Sequence, residues 1–373
     1  MQKIQYFFYA ISILLLSGCN LSIDNAGGGT VTSSDNNLHC GTTCRFNYNT
    51  TQTVTLSATS EPGYIFDRWS GACTGSEECT LTIGQTSGHK NVKVHFVPAR
   101  SLSLGGWHSC ALENGDVTCW GADNRDIAEG QTLVPDDLNN PIAISAGLLH
   151  SCALGDNGVT CWGRNLEGQI NIPTNLSNPT AISAGDFHTC ALDDNGLSCW
   201  GVENFDWGQA DVPATLQNPS QVSAGWERTC VIDDNGVQCW GRSNVENATP
   251  TNLVNPRSVV EGVYNTCAID DAGVQCWGDD YLGQSTVPPG LVNPRSVTLG
   301  MYFGCALDDN GITCWGSNAY GQTTVPENLS NPTTIKAGLY HMCAWDDNGV
   351  ICWGNNNSAQ STVPTELITT EAN

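Results

Sequence analysis

Seven times along this 373-residue chain a cysteine is followed nine positions later by a second, and each second cysteine is followed at once by Trp-Gly. The pairs are Cys110 and Cys119, Cys152 and Cys161, Cys190 and Cys199, Cys230 and Cys239, Cys267 and Cys276, Cys305 and Cys314, and Cys343 and Cys352. First cysteines of successive pairs stand 37 to 42 residues apart. A motif recurring at that period marks a repeat architecture, in which one small unit cannot bury its own faces and stacks on its neighbours to do so. Inside each copy two short runs flank a turn such as Asp193-Asp194-Asn195-Gly196. Asp and Asn bond locally to backbone in such turns and Gly takes the positive φ, so a β-hairpin is expected. A two-residue loop would set the cysteines opposite each other at disulfide distance, whereas a glycine bulge would set them diagonally. Each bridge would close about ten residues and stabilise by roughly 2 to 3 kcal/mol on a chain-entropy account.

Charged residues make up only 13 % of the chain and no long amphipathic helix is visible, which suits an all-β fold of short strands. Period and strand content admit a propeller or a β-solenoid. The clearest copy runs Ile182-Ser183-Ala184-Gly185-Asp186-Phe187-His188-Thr189-Cys190-Ala191-Leu192-Asp193-Asp194-Asn195-Gly196-Leu197-Ser198-Cys199-Trp200-Gly201. Gly-Gln, Val-Pro or Ile-Pro, and Leu-x-Asn-Pro steps lead into the next copy. This pattern resembles the repeat of the regulator-of-chromosome-condensation (RCC1-like) superfamily. The resemblance implies a seven-bladed β-propeller over residues 101–368. The spacing is closer to the short blades of a bacterial β-lactamase-inhibitory branch of that superfamily than to the eukaryotic regulator.

The segment before the array divides into three. Residues 1–18, with Lys3, the apolar run from Tyr6 to Leu16 and then Leu16-Ser17-Gly18-Cys19, resemble a bacterial lipoprotein signal peptide. The resemblance implies lipidation of Cys19 and anchoring at the outer membrane or cell surface, with no other contact to the membrane. Residues 19–37, with Gly27-Gly28-Gly29 and Ser33-Ser34, read as a flexible tether. Residues 38–98 contain strand-like alternation in Thr53–Ala58 and Asn91–Phe96 around Gly63-Tyr64-Ile65-Phe66-Asp67-Arg68-Trp69-Ser70-Gly71-Ala72-Cys73. That run resembles the divergent InlB-type B-repeat, which implies a small β-grasp-like domain serving as a spacer or adhesive module. Four cysteines there allow three connectivities, of which the local pairs Cys40 with Cys44 and Cys73 with Cys79 are expected. Of nineteen cysteines, setting Cys19 aside leaves eighteen, an even number that suits an oxidising compartment.

Several functions are excluded or disfavoured by the residues. A formal charge of −24 opposes nucleic acid and anionic lipid. Cysteines nine apart around a ring lack the convergent two-to-four spacing of zinc ligands, and the turn carboxylates lack the spaced ligand set of a calcium loop. Neither a metal nor a cofactor is expected. The column His108, His150, His188 and His341, occupied by Arg228, Asn265 and Phe303 in the other copies, suits hydrogen bonding to backbone between blades. No copy is singled out by a nucleophile, base and oxyanion site, so no catalytic residue is assigned and the chain is not read as an enzyme. The Trp after each second cysteine recurs too regularly for a single site and suits packing between blades.

The column before the histidines differs. Trp107, Phe187, Tyr264, Tyr302 and Tyr340, with Trp226 one step earlier in the fourth copy, lie where a loop enters a strand, so they should share one face. Aromatic rings on a rigid surface are the usual anchors of an interface. Leu149 and Glu227 break the column. The expected function is a lipid-anchored surface or envelope binding module whose partner is a protein, with a glycan as the second choice. Resemblance to the inhibitory branch implies an alternative, an inhibitor of an envelope or secreted enzyme.

Overall fold

The computed structural model describes residues 19–61, 64–75, 78–84, 89–98, 100–122, 128–242 and 248–368, so the expected signal peptide lies outside the described residues. The chain divides into two compact units, Met1–Pro98 and Ala99–Asn373.

The first unit contains β1 (Cys19–Asn25), β2 (Gly29–Ser33), β3 (His39–Cys40), β4 (Cys44–Tyr48), β5 (Gln52–Ser60), β6 (Tyr64–Gly71), β7 (Cys79–Ile83) and β8 (Lys90–Pro98). They form two four-stranded sheets, ordered β4-β1-β8-β6 and β3-β2-β5-β7. β1 runs parallel to β8 and antiparallel to β4. Alternation puts Leu21, Ile23, Val31, Val54, Leu56, Ile83, Val92 and Val94 into one core with Trp69. Cys40 is joined to Cys44 and Cys73 to Cys79.

The expectation of a flexible tether over 19–37 is corrected here, because that segment supplies two strands and part of the core. Its polar composition hides Leu21, Ile23 and Val31, all fully buried. The glycine run is also not a sign of slack. Gly27 and Gly28 take positive φ at the turn between β1 and β2, and a Cβ on Gly29 would collide with the Phe96 ring.

In the second unit the described residues form seven three-stranded antiparallel sheets, one per repeat. In the third repeat the inner strand is Ala181–Ala184, the middle His188–Asp193 and the outer Gly196–Gly201. Each inner strand neighbours the inner strands of the repeats before and after it, and the last, Thr334–Ala337, neighbours the first, Arg100–Leu104. The array is therefore a closed ring of seven blades. Closure uses no exchanged strand. Leu102 and Trp120 of the first repeat pack with Trp345, Val350 and Leu367.

The hairpin turns have two-residue loops, with Asp193 paired to Gly196, so Cys190 stands directly opposite Cys199. All seven repeat pairs are joined this way, with Cα atoms 4.0–4.1 Å apart. The turn carboxylates are held by protein groups. Asp193 accepts from the Ser177 N–H at 2.8 Å, and Asp194 from the Asn178 side chain at 2.6 Å. That asparagine, from the Leu-x-Asn-Pro step, has a φ of 49°, which Asn tolerates better than most residues.

Candidate interaction face

Each inner strand is followed at once by a glycine, and that glycine sets the geometry of one face. The ring of Gly105, Gly147, Gly185, Gly225, Gly262, Gly300 and Gly338 turns the chain from inner to middle strand, each N–H bonding the carbonyl three residues on at 2.8–2.9 Å. A Cβ at Gly105 would collide with the Gly147 carbonyl and the His108 ring, so blades approach this closely only with glycine there. Two residues follow in each copy. Of the first, Gly106, Asp186, Trp226, Val263 and Leu339 line the axial opening, and the second make up the column that includes Tyr264, Tyr302 and Tyr340.

The histidine column lies beneath. His108 Nε2 lies 2.8 Å from Ser151 Oγ, His150 Nε2 3.0 Å from Thr189 Oγ1, and His188 Nε2 2.8 Å from Thr229 Oγ1. His341 meets Ser109 at 2.8 Å, which carries the pattern across the closure. The expected backbone partner is thus a side-chain hydroxyl of the next blade. That hydroxyl donates to a Gln carbonyl, as Ser151 does to Gln131 at 3.0 Å and Thr189 to Gln169 at 2.9 Å. Its one proton being used, the ring must donate from Nε2, and burial pushes all four imidazoles down to about 3, so they stay neutral. None is placed to act as a base on a substrate.

Substitutions in this column come with matched partners. Phe303 packs on Met342, which replaces the hydroxyl. Arg228 faces Glu261 at 3.7 Å, and Thr266 donates to that carboxylate at 2.6 Å. Burial raises Glu261 to about 7 against these two. Glu261 also lies near the Cys230 and Cys239 sulfurs, but they form a disulfide and offer no thiolate to a metal.

The same glutamines build the outer loops. Trp200 donates from its indole to the Gln169 carbonyl at 2.9 Å, and Trp353 to that of Gln322. The amide oxygens of Gln209 and Gln322 accept the N–H groups of Trp207 and Tyr320 at 2.7 and 2.8 Å. A buried residue thereby positions an exposed ring. Trp207 is 36 % and Tyr320 47 % exposed.

Rings from these loops join the column expected from sequence. Trp226 meets Tyr264 edge-on at 5.2 Å, and Tyr264 stacks on Tyr302 at 5.3 Å. Burial and the Tyr302 hydroxyl push Tyr264 up to about 12. Tyr340 packs against Tyr320 at 5.1 Å. Phe187 is buried and covered by Phe205, which stacks on it at 4.4 Å with Trp207 beside it. Phe205 and Trp207 therefore present the surface there. Trp107 is half-buried and joins none of these stacks among the described residues. Phe205, Trp207 and Tyr320 escape the sequence pattern because their loop has no fixed spacing from the cysteines. The Gly-Gln step was the signal that could have located them.

Residues 142–169, 180–206 and 220–246 match the regulator of chromosome condensation (RCC1) repeat. The array is an RCC1-like β-propeller. Residues 19–100 match the divergent InlB B-repeat domain, a span that takes in the two strands preceding Leu38. Among solved structures, the propeller is similar to the ectodomain of the receptor kinase CR4 from Physcomitrella patens, at 23 % identity and a TM-score of 0.57 over 68 % of this chain and 73 % of that one. The CRINKLY WD40 ectodomain of the Arabidopsis thaliana receptor kinase ACR4 gives 25 % identity and a TM-score of 0.55 over 70 % and 96 %. Prp20p from Saccharomyces cerevisiae gives 19 % and 0.52 over 63 % and 76 %. No curated protein matches the chain in sequence.

Proposed function

We propose that the chain is an exported protein-binding module whose RCC1-like propeller docks a protein partner on the face carrying Trp226, Tyr264 and Tyr302. The observation that carries this is the stack itself: three half-buried rings from consecutive blades, held on glycine-fixed turns. Rigid aromatic surface of this kind supplies contact area at little entropic cost. Solved relatives of the fold support the reading, since the yeast Prp20p structure is described with its binding to Gsp1p and histones. Paired cysteines support an oxidising location. Residues 1–18 act as a lipoprotein signal in this proposal and Cys19 carries the lipid. Labelled palmitate should enter the wild type and not Cys19→Ala.

Chemistry on a substrate has no support among the described residues, whose repeat cysteines are bridged and whose column histidines are buried and bonded. The test of the binding proposal is a cross-linking capture from intact cells with the wild type and Trp226→Ala/Tyr302→Ala. Loss of a reproducible cross-linked protein, with melting temperature unchanged, is expected. Equal capture by both would remove this face from the interaction.

A further inference from the structure

The axis of the propeller opens beside Trp226, the first ring of the Trp226, Tyr264 and Tyr302 stack. Its mouth has a volume of about 110 Å³ and is lined by residues of all seven blades, chiefly the glycine ring, with Asp186, Trp226, Val263 and Leu339 above it and Glu261 at the end of an inner strand. Six blades place an apolar residue at the Glu261 position, Leu104, Ala146, Ala184, Ala224, Leu299 and Ala337. The wall is thus glycine backbone and small apolar side chains, with acid at two places.

The acids differ in their partners. Glu261 has Arg228 and Thr266. Glu227, next to Trp226, is paired with Arg242 at 2.6 Å, and Glu167 in the neighbouring loop with Arg164 at 2.9 Å. Asp186 has neither a hydrogen bond nor an ion pair to its carboxylate among the described residues, and only its N–H is engaged, to the Gly225 carbonyl. Burial and the nearby Glu227 push it up to about 7. Lys336, one residue before Ala337 on its inner strand, does not line the mouth. An unpaired carboxylate beside an indole, in an opening rimmed by backbone, is complementary to a cation.

We infer that the mouth receives one basic side chain, Lys or Arg, from a protein docked on the aromatic face, with Asp186 as its counter-charge and the Trp226 ring as its wall. This rests on the interaction proposed above and specifies the partner's chemistry. The opening admits an ammonium or guanidinium head and is too small for a folded element. The Trp226 ring shields one side of the pair from water, which strengthens it.

The probe is a short peptide, Gly-Gly-Arg-Gly-Gly, titrated into the full chain by peptide-detected NMR beside the same peptide with citrulline, the neutral isostere. The arginine peptide should bind and the citrulline peptide fail. Asp186→Asn should weaken binding roughly tenfold and Trp226→Ala roughly threefold. Glu203→Gln, an acid of the outer loop away from the mouth, should change nothing. Equal weakening by Glu203→Gln would show diffuse attraction to a −24 chain and overturn the inference, as would unaltered binding by Asp186→Asn. Because the probe needs no native partner, its failure alongside loss of capture by Trp226→Ala/Tyr302→Ala would leave the face standing and remove only the mouth.

Discussion

At the scale of single residues, the buried histidines make the fold sensitive to acid. An unfolded imidazole takes up its proton near pH 6.5, while the folded ones refuse it until about pH 3. Their contribution is therefore complete above about pH 6.5 and declines as pH falls. Asp186 and Glu261 oppose this: raised to about 7, they keep protons in the folded state that the unfolded chain releases above about pH 4. Between about pH 4.5 and 5.5 four imidazoles outweigh two carboxyls by a net of about two protons, on the order of 3 kcal/mol per pH unit, and the slope flattens toward pH 6.5. Denaturant titrations across that window should show stability falling with pH. His150→Asn, the residue already present as Asn265 in the fifth repeat, should lower the slope by about one proton; an unchanged slope would mean the imidazole is not held neutral. The column was legible in the sequence as structural. Its partner was not, because a hydroxyl one residue after the next histidine has no meaning until blades are placed side by side.

At the scale of the repeat, local chemistry was legible because each copy repeats it. The cysteine spacing, the turn residues and the Trp-Gly step each fix one part of a hairpin. What a single copy does not show is what it gives its neighbour. Trp200 reaches the Gln169 carbonyl of the preceding loop, but the loop after Gly241 has no Gly-Gln step, and the Trp277 indole N–H is buried without a partner among the described residues. Trp200→Phe should therefore cost about 1 kcal/mol more than Trp277→Phe, measured by thermal unfolding. Equal losses would mean that only the ring, and not its N–H, matters. Removing one staple with Cys190→Ala/Cys199→Ala should cost about 2 to 3 kcal/mol, seen as a lower denaturant midpoint. The misread segment 19–37 shows the opposite limit. With only three buried aliphatics among Gly, Ser, Thr and Asn, its strands are fixed by their partners β8, β4 and β5 more than by their own composition.

For the whole molecule, ring closure could not be phased from the sequence because nothing in the last repeat is spelled differently from the others. The structure closes it through side chains: His341 to Ser109, the Trp120 indole to the Gln360 carbonyl, and Leu367 in the cluster with Leu102. Leu367→Ala should cost about 2 to 4 kcal/mol and speed hydrogen exchange first in Arg100–Leu104 and Thr334–Ala337. Uniform acceleration around the ring would place the weak point elsewhere. Every propeller sheet is made from consecutive strands and every propeller disulfide lies within its own hairpin. The break in the covalent path is consequently one of seven equivalent junctions. A circularly permuted chain that begins at the second repeat and ends with the first should rebuild the same wheel, with the same aromatic rings gathered on one face.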